Sequence, residues 1–129
     1  MTIQVGDTLP SVNLTTMTAE GPKPISLNEL SAGKKVVLFA VPGAFTPTCS
    51  AQHLPGFIER SKEIKEKGVD LIACVSVNDP FVMKAWGEDR NVGEDVIMLS
   101  DGNGEFTAAI GLEMDGSGFG LGTRSQRYA

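Results

Sequence analysis

Cys49 is the residue around which the chemistry of this 129-residue chain can be built. It closes the run Val41-Pro42-Gly43-Ala44-Phe45-Thr46-Pro47-Thr48-Cys49 and is followed by Ser50. The apolar run Val36 to Val41 precedes it, and residues with helical spacing come after. That pattern predicts a strand-to-helix turn with the thiol near a helix N-terminus, where unpaired N–H groups and the helix dipole favour an anion. A thiol so placed ionises more readily, and the thiolate is the nucleophile. At an ordinary pKa of about 8.5, roughly 3% of a thiol is ionised at pH 7. A pKa of about 6 gives roughly 90% thiolate and requires about 3.4 kcal/mol of differential stabilisation. A helix terminus supplies about 0.3–1 kcal/mol, rising to about 2 when buried. Other donors must therefore contribute: the Thr46 hydroxyl, the N–H groups of the turn, and a cation. Arg124 and Arg127 are the candidates for the cation, because they enter the last predicted strand after a glycine-rich loop.

Other reactive side chains offer weaker alternatives. Thr46 stands three residues before Cys49, where a redox dithiol motif would carry a second cysteine. Thioredoxin-type dithiol exchange is therefore disfavoured. The Thr46 hydroxyl either orients an oxygen substrate or caps the turn. His53 follows Cys49 by four residues and could pair with it as in Cys-His acyl transfer. It is the only histidine, however, and Pro55 disturbs the local geometry, so a surface histidine is the simpler reading. Cys74, inside an apolar strand, is either a core residue or a resolving thiol. A disulfide needs the two Cα atoms within roughly 7 Å, which sequence separation does not fix. The run Gly116 to Gly122 lacks the lysine of a phosphate loop and reads as a flexible connection. One histidine and two distant cysteines do not make a zinc site.

The elements that must hold these residues follow from periodicity. Residues 1–24 are turn-rich, with β-prone pieces near Val12-Asn13-Leu14. Ser26-Leu27-Asn28-Glu29 matches a capping box. Val36 to Val41 reads as a strand buried on both faces, the type found in parallel sheets. Leu54, Phe57, Ile58 and Ile64 keep helical spacing from Ser50 to about Lys67, with Pro55 expected to kink the helix or mark a late start. A strand is predicted at Val69 to Val77, a helix from Phe81 to about Arg90 opened by Asp79 and Pro80, a strand at Val96 to Leu99, a short helix at Gly104 to Ile110, and a last strand at Thr123 to Ala129. Alternating strands and helices imply an α/β sheet with helices on its faces, and ligands in such folds gather at the carboxyl ends of strands.

The totals agree with one soluble domain, 1–129. Apolar content is 41%, charged content 21% and net charge −5, which argues against nucleic acid or an anionic membrane as partner. No apolar stretch reaches the roughly 18 residues of a spanning helix. The first residues do not have the pattern of a signal peptide. The expectation is a cytoplasmic protein with free thiols, with an organellar form left open.

The run Pro42 to Ser50 resembles the active-site segment of the peroxiredoxins, specifically their type II, atypical class. Gly6-Asp7 with Pro10, Leu54-Pro55-Gly56-Phe57, Val75 to Phe81, Trp86-Gly87 and Thr123 to Tyr128 extend the resemblance through nearly the whole chain. The resemblance implies a thioredoxin-like fold, a central mixed sheet flanked by helices, and thiol peroxidase activity. It makes Cys49 the peroxidatic cysteine, shielded by Pro42. Thr46 would hydrogen-bond the peroxide, and Arg127 would hold the thiolate and polarise the O–O bond. Cys74 falls where many members have their second cysteine. The implied substrates are hydrogen peroxide and small alkyl hydroperoxides. Glutathione with glutaredoxin, or thioredoxin, is the implied reductant, no metal or cofactor is required, and a homodimer is expected. Relatives continue past Ala129, so the rest of the last strand, another hairpin strand and a terminal helix are expected to be missing here. Two alternatives stay open: a non-catalytic redox sensor or chaperone-like oligomer using the same thiol, and the Cys-His acyl-transfer enzyme.

Overall fold

The computed structural model describes residues 2–46, 54–93 and 95–129. Within them lies a five-stranded mixed sheet in the order β2-β1-β5-β4-β3. Strands β3 (Val36–Ala40), β4 (Leu71–Ser76) and β5 (Ile97–Ser100) are parallel, and β1 (Asn13–Thr18) and β2 (Gly21–Ser26) add an antiparallel hairpin at one flank. The run Val36 to Val41, predicted to be buried on both faces, is half-buried at Val36–Leu38 and fully buried from Phe39 to Val41. Ile72 and Cys74 of β4 join Phe39, Leu54, Met83 and Trp86 on one face, whereas Ala73 and Val75 join Leu14, Leu99, Phe106 and Ile110 on the other. Side chains alternate across a strand, so one short segment serves two cores.

The helices follow the sequence in most places. Ser26 caps α1 (Leu27–Leu30) by accepting the Glu29 N–H at 3.5 Å. Asp79 caps α4 (Pro80–Asp89) by accepting the Val82 N–H at 2.8 Å, with Pro80 at the first helical position. Gly104 precedes α5 (Glu105–Ile110), as expected. The single helix predicted up to about Lys67 is two, α2 (Leu54–Glu59) and α3 (Ser61–Glu66), parted at Arg60 rather than kinked at Pro55. Pro55 lies in the first described turn of α2. Phe57 of α2 stacks on Phe39 of β3 with ring centroids 3.9 Å apart, which pins the helix to the sheet.

Two segments differ from the sequence reading. The turn-rich start contains a full hairpin: β2 carries Pro22 and Pro24, which obscure a strand, yet both are tolerated because β2 is an edge. The glycine-rich stretch is not a flexible connection. β6 (Glu113–Asp115) and β7 (Thr123–Ser125) pair antiparallel around a 3-10 turn at Ser117–Phe119, and the loop is closed by Gly116 N–H to Gly122 O at 2.8 Å. Gly120 and Gly122 take φ of 72° and 69°, values that glycine adopts without strain. The predicted last strand is thus short, and only Tyr128 beyond it reaches the main sheet, through a bridge to Ala40.

Candidate active site

β3 ends at Ala40, and the loop from Val41 to Thr46 leaves the carboxyl end of the parallel strands, where α/β folds place ligands. Pro42 is half-buried at its start. Thr46 folds back on Gly43, its hydroxyl donating to the Gly43 carbonyl at 2.6 Å. Phe45, between them, has φ 62° and is 51% exposed. A left-handed non-glycine residue persists only where its surroundings over-determine it.

Hydrogen bonds and close packing from two other segments supply those surroundings. The Ala44 N–H donates to Asn78 Oδ1 at 2.9 Å, tying the loop to the segment after β4. Arg124, in β7 of the hairpin, donates from Nε to the Leu121 carbonyl at 2.9 Å and from Nη1 toward the Pro42 carbonyl at 3.4 Å. A Cβ on Gly43 would lie 3.0 Å from both Arg124 Nη1 and Thr46 Cγ2, so glycine there permits the close approach of both side chains.

Of the residues singled out in the sequence, Pro42 and Thr46 share this loop. Arg127 is exposed, and it is carried to the same end of the sheet because its neighbour Tyr128 exchanges backbone hydrogen bonds with Ala40, at 2.9 and 3.4 Å. Cys74 is fully buried in the middle of β4, opposite Phe39 and Met98. Cys49 and His53 lie outside the described residues. Sequence reasoning gave Asn78 no role. An Asx residue just past a strand, before a capped helix, is the available signal, since such side chains bond nearby backbone. Arg124 is one of the two arginine candidates, and its guanidinium touches the loop.

Among the described residues no group of His, Cys, Asp and Glu side chains is arranged to hold a metal ion. No helix among them is long and apolar enough to cross a membrane. The arrangement presents hydroxyl, amide and guanidinium groups around a turn that leads, three residues beyond Thr46, to a cysteine.

Comparison with known proteins gives a consistent result. A family model described as Redoxin matches residues 4–129. The chain is 60% identical over 133 residues to Peroxiredoxin-2E-2, chloroplastic, of Oryza sativa subsp. japonica, with 99% of this chain and 59% of that protein covered. It is 52% identical over 131 residues to Peroxiredoxin-2E, chloroplastic, of Arabidopsis thaliana, covering 98% and 56%. It therefore spans a little over half the length of these two plant relatives. The crystal structure of reduced Prx3 in complex with H2O2 from Vibrio vulnificus matches with a TM-score of 0.93 at 62% identity, over 97% of this chain and 78% of that one.

Proposed function

Since this chain belongs to the peroxiredoxins, within the redoxin family, we propose that it is a thiol peroxidase for hydrogen peroxide and small alkyl hydroperoxides, with Cys49 as the peroxidatic residue. The observation that carries this reading is the Thr46 hydroxyl. Its proton is spent on the Gly43 carbonyl, so toward solvent it offers lone pairs, and an accepting oxygen suits the O–H of a hydroperoxide. The H2O2 complex of the Vibrio relative supports the same substrate class.

The Cys49 thiolate attacks one peroxide oxygen, an S–O bond forms, and the O–O bond breaks. The departing oxygen takes a proton and leaves as water or alcohol. Sulfur is oxidised to a sulfenic acid while the peroxide is reduced. Thr46 positions the peroxide, Pro42 shields the thiol, and Arg127 holds the thiolate and stabilises charge on the separating oxygens. Arg124, close to the same turn, adds positive charge. Glutathione then condenses with the sulfenic acid, losing water, and glutaredoxin removes the mixed disulfide; thioredoxin is the alternative donor. The burial of Cys74 favours a core role over resolution. A homodimer is part of this reading. Both plant relatives carry "chloroplastic" in their names, which supports an organellar setting alongside the cytoplasmic one.

Cys49→Ser should abolish peroxide consumption in a coupled assay, and Cys74→Ser should keep most of it with glutaredoxin as reductant. Consumption by Cys49→Ser at the native rate would remove the peroxidatic assignment. A single stoichiometric oxidation of the native chain, without turnover on any thiol reductant, would favour the sensor reading.

A further inference from the structure

We propose that Asn78 is a positioning residue for the reaction of Cys49: it fixes the backbone of Ala44 and, through it, the turn that presents Thr46. This rests on the peroxidase reading above. Asn78 Oδ1 accepts the Ala44 N–H at 2.9 Å and the Ser76 hydroxyl at 2.6 Å. A backbone N–H can only donate, so the side-chain atom facing it must be the amide oxygen, and the orientation of Asn78 is set by chemistry. Its main-chain carbonyl accepts the Ser100 hydroxyl at 2.5 Å, and Ser100 Oγ accepts the Gly102 N–H at 3.1 Å. Ser76 and Ser100 are buried at the ends of β4 and β5. Asn78 is thus bolted to two central strands by its main chain and its side chain, and it reaches the loop from that rigid base.

What it grips is a turn that would not hold its shape alone. Phe45 follows Ala44 in the left-handed region, and Thr46 then returns to the Gly43 carbonyl. An isolated turn with that φ on phenylalanine would relax, and Thr46 would move with it. A displacement of about 1 Å at a reacting group costs on the order of 100-fold in rate. Asn78 itself touches neither reactant in this scheme and acts through Ala44.

Two variants of the full chain separate positioning from electrostatics. Asn78→Leu keeps the branched shape and removes the acceptor. Asn78→Asp keeps the acceptor oxygens and adds a negative charge. The second-order rate constant for oxidation of Cys49 by hydrogen peroxide is measured by stopped flow as a function of pH. Asn78→Leu should lower the alkaline plateau by at least about 30-fold. Asn78→Asp should recover the plateau to within about threefold but reach it at higher pH, because a nearby carboxylate disfavours the thiolate. A plateau for Asn78→Leu within about twofold of native, or an Asn78→Asp profile as low as that of Asn78→Leu at every pH, would overturn the assignment. Amide hydrogen exchange at Ala44 reads the same anchor without peroxide. It should speed up at least about tenfold in Asn78→Leu and stay slow in Asn78→Asp, and unchanged protection in Asn78→Leu counts against the proposal. Should the native chain ignore peroxide while Ala44 exchange follows this pattern, the peroxidase reading fails and the anchor stands. Should Asn78→Leu fail to fold, the Asn78→Asp profile still decides: a lowered plateau refutes the positioning role.

Discussion

Arg124 and Arg127 are both guanidinium groups at the same end of the sheet, and they should not contribute equally. A guanidinium has five N–H donors in a fixed fork. Arg124 commits two of them to the Leu121 and Pro42 carbonyls, which makes it a brace for the loop as well as a charge. In the proposed reaction Arg127 holds the thiolate and the breaking O–O bond. Losing a donor aimed at developing charge costs on the order of 100-fold. Arg127→Gln should therefore slow Cys49 oxidation by well over about tenfold, and Arg124→Gln by less than about tenfold, in second-order rate constants measured with hydrogen peroxide. The reverse ranking would exchange their roles. At this scale the sequence led to the loop itself: Pro42 and Thr46 share it and Arg124 bonds to it, whereas Cys49 lies outside the described residues. Asn78 was not legible, because its work depends on folding back to a residue 34 positions earlier.

At the scale of elements, the loop Val41–Thr46 is shaped by what packs on it. Gly43→Ala would place a methyl 3.0 Å from Arg124 Nη1 and Thr46 Cγ2. Over-packing of this kind costs about 1–3 kcal/mol when neighbours cannot yield. Gly43→Ala should lower the denaturation midpoint accordingly and slow peroxide oxidation together with it. Full stability and full rate would mean that the hairpin beyond Leu112 swings aside easily. Periodicity located the parallel strands because Phe39–Val41 and Ile72–Ser76 are buried and feed both cores, and the caps at Ser26 and Asp79 announced their helices. The misses have physical causes. Threonines and prolines in β1 and β2 resemble loop residues until the register pairs them. Glycines at 116–122 suggested mobility, whereas they supply the angles that close a hairpin.

For the whole molecule, Tyr128 joins the tail to the sheet and answers to pH. Burial, then the charge of Asp101, then Cys74, hold its phenol well above the usual tyrosine range. Among the described residues its hydroxyl is buried without a hydrogen-bond partner. The native state keeps the proton while the unfolded chain releases it near pH 10. Ionisation therefore takes nothing from stability below about pH 10, and stability falls as pH rises beyond it. Tyr128→Phe should flatten that alkaline decline and raise neutral stability by about 1 kcal/mol, since an unpaired buried hydroxyl costs about 1–3. It is the only tyrosine in the chain, so an absorbance titration reports it directly, and ionisation near pH 10 in the folded protein would contradict the assignment. The opposite flank of the sheet meets a different hazard. In β2, Gly21, Lys23 and Ile25 share one strand parity and Pro22 and Pro24 the other, so the prolines leave the outward rim without donors at their positions. A stray strand arriving there would find a row it cannot fully zip onto. This rim should resist seeding fibrils in a crowded or heat-stressed cell, a protection that replacing both prolines with threonine would strip away.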